Sequence, residues 1–194
     1  MTAYRKVAAL GSSYAAGPGI PPIENRAAKR SGNNYPHVVA RALGAELVDL
    51  TVPGATTATI LDTAQQLDSA VEGLARIVTE ARLRAPAARV VLVDYLPMVG
   101  ERTVPFRDVP FDAAAIDALA SVHEQLTGVF TTAAERTGAD VVRASQLGVG
   151  HELGSATPWI QPLRPLHRLS GSFHPTSDGM NAIAEDLLRI ITRP

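Results

Sequence analysis

Two residue types far apart in the chain are those that nucleophilic catalysis needs. Ser12 and Ser13 stand in GSSYAAGPG, directly after the first apolar run, and His174 stands in FHPTSDGM near the C-terminus. An alcohol is a poor nucleophile until a neighbouring base removes its proton, and a neutral imidazole can take that proton and return it to a leaving group. Of the five histidines, His174 is the one placed just before a helix pattern after a glycine-rich, turn-like approach. Together the serine turn and this histidine point to a hydrolase. Taken alone, Ser12 and Ser13 also fit a plain turn or a helix cap, because serine after glycine at a strand end is common.

The pattern along the chain shows what must position them. Strand-like apolar runs occupy 5–10, 46–52, 89–95 and 140–143, and they alternate with helical periodicity. Val71, Leu74, Ala75, Val78 and Ala81 recur at helical spacing, as do Ile116, Leu119, His123, Leu126, Phe130 and Ala133. Met180, Ile183, Ala184, Leu187, Leu188 and Ile191 form a last stripe. A further helix is predicted from near Pro36, where proline is harmless in the first turn, to a stop before Gly44. Segments 18–32 and 146–172 read as irregular. Short buried strands separated by amphipathic helices imply an α/β fold with a parallel sheet covered on both faces. Ligand sites in such sheets lie at the carboxyl ends of the strands, where the GSS turn would fall. A helix starting there would present free N–H groups to an anion.

Composition narrows the partners. The 194 residues, 46% hydrophobic and 19% charged, suit one domain over 1–194. A net charge of −1 without a basic run implies neither nucleic acid nor an anionic membrane as partner. There is no cysteine, and the histidines show no metal-ligand spacing, so neither a metal nor another cofactor is expected. The first apolar run, 7–10, is too short for a signal-peptide core or a membrane span, so the chain as written reads as cytoplasmic; a trimmed secreted protein would look the same.

Several blocks, in order, resemble a known family. GSSYAAG is similar to the GDSxxxG block of the SGNH (GDSL) hydrolases, LTVPGATT to the block bearing their oxyanion-hole glycine, and VVLVDYLP and FHPTSDGM to their later strand and histidine blocks. The resemblance implies a three-layer α/β/α flavodoxin-like parallel sheet and an esterase or lipase-like activity on small-molecule or acylated esters. By position it makes Ser13 the nucleophile, with Ser12 in place of the usual aspartate. Gly54 and Ser13 become oxyanion donors through their main-chain N–H groups, and His174 the general base. Gly54 taken alone is also explained as a turn glycine.

Three departures shape the expectation. The family's acid lies three residues before the histidine, where this chain has Gly171; a Ser-His dyad is implied, with the Gly171 main-chain carbonyl accepting the His174 Nδ1–H. No GxND block stands between Gly54 and Arg89, so the oxyanion asparagine is missing, and 60–86 reads as helix with a possible join at 67–70. Loss of the family's third strand leaves four strands in the order 2-1-4-5, the first pairing directly with the one at 89–95. Beside an acyl-enzyme esterase whose rate rises through a histidine pKa near 6.5, two rivals remain: a non-catalytic relative that binds acyl or glycan groups, and a nucleotide-binding domain, which GSSYAAGPG fits poorly. Among other polar residues, Asn34 is expected to cap a helix, with recruitment as an oxyanion donor the alternative. Asp94 could bond loop amides or serve catalysis, and Trp159 could line an acyl pocket or stiffen the late loop.

Overall fold

A computed structural model describes residues 4–51, 63–165, 169 and 171–193. Strand β1 (Lys6–Ala9) pairs in parallel with β4 (Glu46–Asp49), in register from Lys6 opposite Glu46 to Ala9 opposite Asp49. Strand β5 (Val91–Val93) pairs in parallel with β6 (Asp140–Val142). The long helices are α2 (Tyr35–Leu43), α3 (Thr63–Arg84), α4 (Ala113–Thr137) and α6 (Ser177–Ile191); α1 (Ser13–Ala16) and α5 (Ala144–Leu147) are single turns at strand ends.

Period-two alternation in β5 separates the two sides of the sheet. Leu92 joins Val71, Val78, Val129 and Ala133 in the layer made by α3 and α4. Val91 and Val93 face the other way, onto a cluster holding Leu96, Val142, Ile160 and Ile183 beneath α6. Helix, sheet, helix is thus the three-layer α/β/α arrangement that the alternating pattern implied. Val78 is fully buried between α3 and its neighbours, a burial worth roughly 1.5–3 kcal/mol against exposure. The Arg82 guanidinium, on the last turns of α3, donates to the Thr137 and Gly138 carbonyls, meeting α4 at its unsatisfied C-terminal end.

Local signals set most helix ends. Asn34 caps α2 by accepting the His37 N–H at 3.0 Å, and Gly44 closes it in the left-handed region at φ 61°. Thr176 caps α6 through the Gly179 N–H at 3.3 Å, with Asp178 in the first turn.

The structure departs from expectation in three places. Among the described residues no ladder joins β1 to β5, so the four strands form two parallel pairs and not a continuous 2-1-4-5 sheet. The physical reason is the packing: α2 rests on β1 and β4, α4 rests on β5 and β6, and α6 joins the two units by packing on both α2 and β6. Segment 18–32 is not wholly irregular. It carries an antiparallel hairpin of β2 (Ile23–Asn25) and β3 (Arg30–Ser31), whose turn is set by Asn25 Oδ1 accepting the Ala28 N–H at 2.9 Å. Helix α3 also runs without a break through 67–70. Among the described residues no helix is long and apolar enough to cross a membrane.

Asp112 caps α4 with a 2.8 Å bond from the Ala115 N–H on an exposed surface. Asp112→Ala is expected to destabilise the fold by about 1 kcal/mol, read as a lower urea midpoint with an unchanged slope.

Candidate active site

The serine turn is built by two glycines. A side chain on Gly11 would bring its Cβ to 2.9 Å from that of Ala15, so only glycine lets β1 turn so closely into α1. Gly17 closes the turn in the left-handed region at φ 68°, donating its N–H to the Ser13 carbonyl at 3.1 Å. Ser12 is the extended N-cap residue and its hydroxyl makes no capping bond; its carbonyl accepts from Ala15 and Ala16. Ser13 therefore begins α1 just beyond the carboxyl end of β1, where the first-turn amides have no intrahelical acceptor.

The histidine loop is held from several directions. His174 Nδ1 lies 2.7 Å from the Ser172 main-chain carbonyl. A carbonyl can only accept, so Nδ1 carries the proton and the Nε2 lone pair is left to act as base. This corrects the expectation for Gly171: its carbonyl instead accepts the His174 main-chain N–H at 3.2 Å. The reason is the backbone of Phe173, which is left-handed at φ 59° and turns the Ser172 carbonyl toward the ring. An aromatic residue in that region costs on the order of 1–3 kcal/mol, so surrounding bonds must enforce it. Phe173 N–H donates to the Gln161 carbonyl at 2.9 Å, and Gln161 N–H donates to the His174 carbonyl at 2.8 Å. The Gln161 side-chain amide donates to the Pro175 carbonyl at 2.7 Å and reaches the Pro18 carbonyl at 3.4 Å, tying the histidine loop to the segment after the serine turn.

Tyr14 ties the two loops at the site itself. Its hydroxyl donates to the Phe173 carbonyl at 3.0 Å, and its ring centroid stands 5.6 Å from that of His174. The residue directly after Ser13 thus touches both the histidine and the peptide before it. Among the described residues no hydrogen bond joins Ser13 Oγ to His174; such bonds commonly tighten only when substrate is held. Burial pushes the His174 pKa below its usual value, and the Lys29 cation lowers it further, against the opposing pull of the Ser172 carbonyl.

The remaining candidates divide between structural tasks and unseen ground. Gly54 and His167 lie outside the described residues. Asn34 is not a free donor: its amide is committed to Asp49 at 2.9 Å and to the Ala16 carbonyl at 3.4 Å, and its oxygen to the α2 cap. Buried Asp94 accepts from the Ser145 N–H at 2.8 Å and the Ser145 hydroxyl at 2.6 Å, fixing the turn after β6; burial raises its pKa. Trp159 stacks on His151 with ring centroids 3.8 Å apart, which stiffens the late loop. His37 bridges Asn34 and Glu24, and His123 bonds the Tyr95 carbonyl. Ser172, Tyr14 and Gln161 were not singled out by sequence; the one local cue is that Tyr14 directly follows Ser13.

No protein-family model matches the sequence. Lipase 2 of Streptomyces coelicolor is 28% identical over 251 residues, covering 94% of this chain and 84% of the relative. That alignment is longer than the 194 residues of this chain, so stretches of the relative have no counterpart here. In fold, the chain matches the extracellular lipase of Streptomyces rimosus with a TM-score of 0.80 at 19% identity, over 97% of this chain and 100% of that one. Phospholipase A1 of Streptomyces albidoflavus matches with a TM-score of 0.77, also at 19% identity, over 98% of each chain. The chain shares the three-layer α/β/α fold of these structures. In sequence the chain is similar to a lipase, and in fold to a lipase and a phospholipase.

The electrostatics give a direct expectation. A lowered pKa leaves His174 neutral to more acidic pH than a free imidazole, so its NMR titration midpoint falls below about 6.5. Lys29→Gln moves that midpoint upward by removing a repelling cation; a wild-type midpoint above about 6.5 contradicts the burial described.

Proposed function

We propose that the protein is a serine esterase that hydrolyses carboxylic esters through a Ser13-His174 dyad. Ser13 Oγ attacks the ester carbonyl as His174 Nε2 takes its proton; the imidazolium then protonates the departing alcohol. Water, activated by the same Nε2, hydrolyses the acyl-enzyme and restores both residues. The Ser13 N–H, joined by that of Gly54, is the oxyanion donor in this reading. The observation that carries it is the 2.7 Å contact of His174 Nδ1 with the Ser172 carbonyl, which leaves Nε2 unprotonated on a ring 5.6 Å from that of Tyr14, the residue after Ser13.

A carbonyl orients the ring as a carboxylate would, yet it carries no full charge to stabilise the imidazolium. The absent GxND asparagine removes a second source of transition-state stabilisation, a loss on the order of 10²–10³ in turnover where one oxyanion donor is deleted. Turnover well below that of a complete site is the consequence. The lipase and phospholipase names of the relatives support ester hydrolysis, and the acyl and alcohol groups are left to assay.

Initial rates on short-chain p-nitrophenyl esters test the proposal. Ser13→Ala is expected to lower kcat on the order of 10³-fold or more with the circular-dichroism spectrum unchanged. Equal rates from two folded proteins would favour the non-catalytic binding relative. In the active protein, kcat/KM rises with pH along a limb whose midpoint lies below about 6.5, because burial favours the neutral base.

A further inference from the structure

We infer that Tyr14 is a positioning residue whose hydroxyl, acting through the Phe173 carbonyl, holds the left-handed peptide that keeps the Ser172 carbonyl on His174 Nδ1. The inference rests on the serine-esterase reading for its kinetic consequence alone, since its structural consequence is the tautomer of His174. Three facts converge on it. The Tyr14 hydroxyl donates to the Phe173 carbonyl at 3.0 Å. Phe173 occupies φ 59°, where an aromatic residue does not settle unaided. The carbonyl that Tyr14 grips belongs to the peptide joining Phe173 to His174, so its rotation would swing the imidazole relative to Ser172.

The other restraints do not replace this one. Gln161 bonds the N–H of Phe173 and the carbonyl of His174, flanking the Phe173 carbonyl without touching it. Burial holds the Tyr14 phenol protonated far above physiological pH, so it remains a donor. The ring has a separate packing task, an edge contact with Tyr95 at 5.1 Å, which phenylalanine at position 14 would keep. Tyr14→Phe therefore removes the hydroxyl and little else. Left-handed backbone is free to glycine, so Phe173→Gly relieves the need for the hydroxyl.

The test compares four full-length proteins: wild type, Tyr14→Phe, Phe173→Gly and the double variant. Two-dimensional ¹H–¹⁵N spectra of the histidine rings report the His174 tautomer above its pKa, p-nitrophenyl ester kinetics report kcat and KM, and thermal unfolding confirms folding. Wild type is expected to show the Nδ1–H tautomer. Tyr14→Phe should show a mixture with Nε2–H and a kcat lower by roughly three- to tenfold, the scale of one hydrogen bond, with KM little changed. In the Phe173→Gly background the same hydroxyl deletion should change neither tautomer nor kcat appreciably. An unaltered tautomer in folded Tyr14→Phe overturns the inference, as does an equal loss in both backgrounds. If Tyr14→Phe alone does not fold, the double variant against Phe173→Gly decides: matching tautomers support the role and differing ones overturn it. Absence of hydrolysis by wild type would remove the esterase reading and leave the tautomer comparison to judge Tyr14.

Discussion

A histidine can serve as a general base only if its ring is held with the right nitrogen unprotonated, and the His174 ring is held by a main-chain carbonyl. His174 Nδ1 meets the Ser172 oxygen at 2.7 Å, where a relative with the DxxH aspartate would supply a carboxylate. A neutral acceptor fixes the tautomer but does little to offset burial, and the His174 pKa is accordingly pushed down. The same burial that makes the imidazole a weaker base keeps it unprotonated over a wider pH range. The site thus trades driving force for availability.

That contact depends in turn on structure at some distance. Phe173 must be left-handed, Tyr14 and Gln161 must bond its neighbourhood, and Ser172 must be fixed; its hydroxyl accepts the Arg164 N–H at 2.9 Å and its N–H reaches the Leu169 carbonyl. Beneath the loop, Thr176 starts α6, whose Met180 and Ile183 are buried in the core. On the serine side, Gly17 lets α1 end against Asn34 and Met180. Asp49 at the end of β4 holds Asn34 and Thr51, so the end of the second strand of the pair braces the turn that carries Ser13. The two parallel pairs need no ladder between them for this, because the packing of α6 on α2 and β6 joins the units.

Features that arise within a few residues were legible in the sequence. The serine turn was read from GSSYAAGPG after the first apolar run, helix α2 from Asn34, Pro36 and Gly44, and helix α6 from the stripe running from Met180 to Ile191. Features set by contacts between distant segments were not. Gly171 was the natural guess for the histidine's partner by spacing, and only the φ of Phe173, which nothing in its side chain announces, moves that role to Ser172. The Tyr14 bond spans 159 residues and leaves no periodicity to read. The hairpin around Lys29 was hidden because its strands are only three and two residues long. The split of the sheet into two pairs depended on which helices cover each pair.

The central claim is that Ser13 becomes a nucleophile because His174 is held as its base. Labelling with a fluorophosphonate, followed by intact-mass and peptide mass spectrometry, reads that chemistry at one atom: the serine oxygen bonds phosphorus and fluoride leaves. The account predicts a single adduct on the Ser13 peptide, absent in Ser13→Ala and strongly slowed in folded His174→Ala. No adduct on the folded wild-type protein, or equal labelling in the presence and absence of His174, would contradict it.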